Sequence, residues 1–326
     1  MKVGFLLLPF LLAVFMSSGY SYAEDEGGEV SKIADEYIEM FRRGEDFSRP
    51  IKGLVVDCVI DKRALAVLTK ELSFGNSDVR EKIVGLLVEI GFMANKDYPK
   101  DFVLRDPSIV KAISLAGFSK KDSATTDVAR ELRMNSTHDA LKAYGDVYVE
   151  ALKKSSKSEI WLLVAKAKPY QAKVVVDELA SKSDPEVETE VKIAQAALGS
   201  SRLEDEFIGL AKVAADNSDG KALAEALKFL GWIGTRRSLQ TVATYLRTPL
   251  TVNIGGVNIR SVRMDALEAL YYNYLGQRVV HPNSIHSQED YASAERFCKE
   301  NLGVVFEGPL PPYFKNQPSP IPLPAR

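Results

Sequence analysis

The stretch "FGNSDVREKIVGLLVEIG", Phe74–Gly91, decides how the chain is read. It sets an Asp-Val-Arg triplet at the start of an amphipathic run, and an acid beside an arginine can begin an active site or begin a helix. Asn, Ser and Asp at a helix start accept hydrogen bonds from the first free amides, and glycine takes the left-handed conformation that closes a helix end. Capping alone accounts for the acid. The expectation is therefore structural: Asp78 caps, Arg80 bridges to a neighbouring helix, Val84 and Leu87 face inward, and Gly91 ends the helix.

The same pattern returns along the chain. Val187 precedes Gly199, and Ala222 precedes Gly234, by the same step that separates Val79 from Gly91. Amphipathic stretches such as "RALAVLTKEL", "KVVVDELA" and "EDEFIGLAKVAA" lie before these segments, and "SLQTVATYL" lies before the unit at Ser261, with apolar residues at three and four spacing. The repeating unit is thus helix, short turn, helix. On Leu68, Leu72, Asp78, Val79, Arg80, Val84, Leu87 and Gly91 the chain resembles the HEAT-repeat family. Weaker echoes are Asp184-Pro185-Glu186-Val187, with Ala194, Ala197 and Leu198, and Ser261-Val262-Arg263, with Ala266 and Leu270. This resemblance implies an all-α fold, a right-handed α-α superhelix (a HEAT-like solenoid) of five to seven helix pairs over residues 54–280. Residues 95–126 depart most from the pattern and predict a distorted or inserted repeat.

The two ends read as accessories. Residues 1–23 carry a basic start, an apolar run from Val3 to Phe15 and a small-x-small pattern at Ser21-Tyr22-Ala23. They are expected to be a signal peptide cleaved after Ala23, because an apolar run of about 13 residues is short of a membrane span. A periplasmic or secreted protein follows. Within 24–53, Glu29 to Gly44 predicts an N-terminal capping helix with Val30, Ile33, Tyr37 and Phe41 on one face. At the other end, residues 281–306 predict a capping helix closed by Gly303, with Tyr291, Ala294, Cys298 and Leu302 on one stripe. Residues 307–326 form a proline-rich tail that cannot be helical. Cys58 and Cys298, the two cysteines, sit in apolar helical contexts and are expected to be free, buried thiols.

One segment breaks the helical pattern. "TPLTVNIGGVNIRSV", 248–262, alternates about Gly255-Gly256 and predicts a β-hairpin near 250–261. In it Ile254 faces Val257, Val252 faces Ile259, and Asn253 faces Asn258. Tyr271, Tyr272 and Tyr274 follow, and since 271 and 272 differ by about 100° around a helix, at least one ring must reach the surface. Asn253, Asn258, Tyr271 and Tyr272 are the candidate partner-binding residues. Trp161 and Trp232 are assigned to the core.

With 42 basic and 44 acidic residues, the chain has no electrostatic reason to bind nucleic acid. Its three histidines, His138, His281 and His286, stand in no metal-ligand spacing, and no phosphate loop or nucleophile elbow is present. The HEAT-type hydroxylases hold iron on His-Glu pairs, whereas the residues after these histidines are Asp139, Pro282 and Ser287. No catalytic residue, cofactor or metal is expected. The sequence points to a non-enzymatic interaction scaffold that takes another protein or peptide on a concave face. The alternative is a ligand-binding protein or enzyme using a cleft where the repeats are irregular.

Overall fold

The computed structural model describes residues 29–48, 50–95, 103–254, 257–275 and 288–308. The proposed signal peptide, the proline-rich tail from 309 on, His281, His286, Gly276 and the turn glycines of the hairpin lie outside them. Among the described residues the chain is all-α apart from one two-stranded sheet.

Twelve helices form six sequential pairs: α3 (Arg63–Phe74) with α4 (Ser77–Met93), α5 (Pro107–Gly117) with α6 (Ala124–Asn135), α8 (Gly145–Lys154) with α9 (Ser158–Ala167), α10 (Lys173–Ala180) with α11 (Glu188–Ala197), α12 (Ser201–Asp216) with α13 (Gly220–Ile233), and α14 (Arg236–Thr244) with α15 (Val262–Leu270). The second helices pack one on the next in the order α4, α6, α9, α11, α13, α15. Helix α9 also touches α13, past α11. Of the remaining helices, α1 (Glu29–Arg42) and α2 (Lys52–Val56) precede the pairs, α7 (His138–Lys142) links α6 to α8, and α16 (Gln288–Phe297) follows them. Of the region 95–126, expected to be irregular, residues 96–102 lie outside the described residues, Leu104 forms an isolated bridge with Ser136, and α5 and the first turn of α6 follow.

Short-range chemistry explains several helix boundaries, with side-chain caps at the starts of α4, α5, α7, α13, α14 and α15. Asn76 begins α4, its side chain accepting from the Val79 amide at 3.0 Å. Asp78 sits in the first turn instead of capping, because the cap must precede the helical backbone and Asn76 already fills that place. Gly199, Gly234, Gly44 and Gly303 adopt the left-handed conformation expected of them. Gly91 does not, for α4 continues to Met93. Its lack of a side chain serves packing, since a Cβ there would lie 2.1 Å from Leu104 Cδ1.

Arg80 does what the triplet predicted. It is fully buried, and its Nε donates to the Leu72 carbonyl at 2.8 Å, Nη2 to the Gly117 carbonyl at 2.6 Å and Nη1 to Asp122. One guanidinium thereby ties α4 to its own partner helix and to the next pair. Arg263, the echo on α15, donates from Nε to the Leu246 carbonyl at 2.9 Å and lies over the Tyr291 ring at 4.6 Å. Val84 and Leu87 are buried, as are Tyr291, Ala294, Cys298 and Leu302 on the C-terminal stripe. On α1 the buried line is Ala34, Ile38 and Phe41, with Ile33 and Tyr37 only half-buried, so the inward face is turned by one residue from expectation. Cys58 and Cys298 are free and buried, and burial pushes both thiols up to about 12.

The hairpin pairs β1 (Thr251–Ile254) with β2 (Val257–Ser261). Asn253 faces Asn258 and Ile254 faces Val257, but Val252 faces Arg260 and not Ile259. A bulge between Val252 and Asn253 shifts the register, which strict alternation cannot reveal. Strand β1 packs on the start of α13, where a Cβ on Gly220 would stand 2.0 Å from the Thr251 carbonyl oxygen. Backbone cannot swing aside as a side chain does. Gly220→Ala is therefore expected to lower stability by about 1–3 kcal/mol, read as a lower thermal midpoint. Helix propensity alone predicts the opposite sign, so a raised midpoint would refute the close approach.

Candidate functional site

A cavity of about 490 Å³ lies among the C-terminal ends of α6, α9 and α13 and along the length of α15. Helix C-termini carry unpaired carbonyls and partial negative charge, which attract cations. The local sequence supplies them. Lys166 Nζ donates to the Arg133 carbonyl at 2.5 Å, and Lys168, left-handed at the end of α9, donates from Nζ to the Gly234 carbonyl. His138 Nδ1 lies 2.8 Å from the Lys166 carbonyl. Burial, and then the nearby Arg133 charge, hold Lys166 well below the usual lysine range, and burial brings Lys168 down to about 8.

Arg133, near the end of α6, is the centre of the wall. It is 5% exposed and forms a fork onto Glu159, Nε to Oε2 at 2.8 Å and Nη2 to Oε1 at 3.2 Å. The guanidinium also lies over the Trp232 ring at 5.3 Å, with the Lys228 ammonium over the same ring at 4.5 Å. Tyr272 lies under Lys166, 3.9 Å from Nζ to the ring centroid. Its hydroxyl lies against the Arg133 guanidinium, which works against the upward push of burial on the phenol. Burial works against the Arg133 charge, and the Tyr272 phenol and Glu159 outweigh it.

Asp265 on α15 supplies the opposite charge. One carboxylate oxygen accepts from Arg260 on β2, so the hairpin positions an acid of the cavity. Burial raises this carboxyl to about 6, opposed by Arg260 and assisted by Glu268.

Among the described residues, four buried side-chain atoms have no hydrogen-bond partner: Arg133 Nη1, Ser136 Oγ, Asp265 Oδ2 and the Tyr272 hydroxyl. All four belong to residues lining this cavity. An unpaired buried polar atom costs about 1–3 kcal/mol, a cost that Arg133 and the Tyr272 hydroxyl lessen by lying against each other.

Of the residues selected from sequence, Tyr271 and Tyr272 both line the cavity and are half-buried. Asn253 is exposed on the hairpin and is not in the wall, while the side chain of Asn258 lies outside the described residues. Trp161 is fully buried as expected, but Trp232 is half-buried and faces the cavity. Arg133, Lys166 and Asp265 were not selected, because each reads locally as an ordinary helix residue. No group of three His, Cys, Asp or Glu side chains able to hold a metal is present among the described residues, nor is a helix long and apolar enough to cross a membrane. Against family models, curated proteins and solved structures the chain has no significant match.

Proposed function

We propose that this protein is an exported, non-catalytic binding module, a right-handed helical solenoid resembling HEAT repeats, that holds a small polar ligand in the cavity among the C-terminal ends of α6, α9 and α13 and along α15. The alternate-helix packing and the shared duty of Arg80 and Arg263 support the solenoid. What carries the ligand reading is the collection of all four unpartnered buried polar atoms around one space. Its size is within the range of about 300–1,000 Å³ usual for small-molecule sites, and it has two aromatic walls, Trp232 and Tyr272. The interaction-scaffold reading is thereby narrowed to one recess of the surface.

Binding to the folded state alone raises stability by about 2.7 kcal/mol at a ligand concentration of 100 Kd. The full chain, screened at millimolar concentration against carboxylates, amino acids, short peptides and monosaccharides, should show a raised thermal midpoint with at least one class. The same ligand should alter the fluorescence of Trp232, and Trp232→Phe should remove that change. If no class moves either signal, the ligand reading is wrong.

A further inference from the structure

Resting on that reading, we propose that the cavity selects a short peptide of about three residues by its two charged ends, the carboxylate on Arg133, Ser136 and Tyr272 and the ammonium on Asp265. The unpartnered atoms divide by chemistry. Asp265 Oδ2 is an acceptor that lacks a donor and Arg133 Nη1 can only donate, whereas the Ser136 and Tyr272 hydroxyls each carry a hydrogen to give, Tyr272 from a position against the Arg133 guanidinium. A carboxylate offers two oxygens with about four lone-pair sites, and an ammonium offers three donors. Charge-assisted bonds of both kinds are the strong ones in a dry site.

Geometry separates the two ends. Asp265 and Tyr272 stand seven positions apart on α15 and the turn continuing it, which returns them to the same helical face. At 1.5 Å per residue they are about 10 Å apart along the axis. An extended chain advances about 3.3–3.6 Å per residue, so about three residues span that gap between free amine and free carboxylate. Between the ends lie Ala269 on α15 and the Trp232 ring, with Lys228 over that ring and Glu268 also in the wall. The pairs Arg133–Glu159 and Arg260–Asp265 balance the fixed charges, which suits a zwitterion better than a polyanion.

Trialanine, N-acetyl-trialanine and trialanine amide, titrated into the full chain near neutral pH and followed by calorimetry and Trp232 fluorescence, test this. Free trialanine is expected to bind, with acetylation and amidation each weakening it by tenfold or more. Asp265→Asn should abolish the discrimination against the acetylated peptide while keeping that against the amide. Tyr272→Phe should do the reverse in part. The peptide arms use the wild-type protein, so they decide the matter even where a variant folds poorly. Equal binding of all three peptides overturns the two-ended site. If trialanine fails while a carboxylate or sugar binds and perturbs Trp232, the peptide inference falls and the ligand reading stands; if nothing binds, both fall.

Discussion

Arg80→Met should lower the unfolding free energy by about 3–5 kcal/mol. Methionine keeps much of the volume but removes every donor, leaving the Leu72 and Gly117 carbonyls and the Asp122 carboxylate without the group that satisfies them. The two carbonyls contribute most of the effect. Asp122 is a quarter exposed and water can reach it, so Asp122→Asn should cost well under half as much. Urea denaturation of the two variants measures both quantities. A loss below about 1 kcal/mol for Arg80→Met would mean that the guanidinium is not a structural tie.

The second large effect is a dependence on pH with a definite sign. Asp265 has its carboxyl raised by burial from 3.8 to about 6, so the folded state holds the proton more tightly than the unfolded chain does. Such a group contributes stability that is fully present below about pH 4 and is lost as pH rises through 6. At 1.36 kcal/mol per pH unit the loss approaches about 3 kcal/mol. Asp265→Asn cannot ionise and escapes it, though it forgoes the pair with Arg260, whose side chain is half exposed and worth under about 1 kcal/mol. The variant should therefore match or slightly trail the wild type at pH 4 and exceed it by about 1–3 kcal/mol at pH 8. Parallel denaturation curves at the two values decide it, and a difference that stays constant with pH excludes ionisation of Asp265 as the cause. A more stable variant that binds worse is what a functional carboxylate predicts, since a site held open for a ligand is destabilised without it.

Two residues show how far the chain could be read in advance. Arg80 was legible as a tie because its helix start, the apolar stripe from Val79 to Leu87 and a preceding helix ending at Phe74 are signalled nearby, although its partners Gly117 and Asp122 are not. Asp265 was not legible. Within "RMDALEALYY" it is one charged residue of an ordinary helix, and its burial comes from the packing of α13 and the hairpin on α15. Lys166 was hidden likewise, as the one charge in "WLLVAKA", where it reads as the solvent edge of a core helix; it is instead drawn in by the carbonyls at the end of α6. Tyr272 was selected for a reason that only half applied, for its ring is half covered while its hydroxyl is buried against Arg133.

By itself the sequence determined the all-α class, the two-helix unit, the left-handed glycine ends and the hairpin with its facing asparagines. These follow from periodicity, caps and turn residues, which act over a few positions and are written locally. Tertiary structure alone decided the bulge at Val252, the packing role of Gly91 and the cavity. Arg133, Lys166, Trp232 and Asp265 come from four separate helices, and they meet because the C-terminal ends of α6, α9 and α13 converge on the side of α15. Packing fixes such a convergence through contacts distant along the chain, and no local pattern records it.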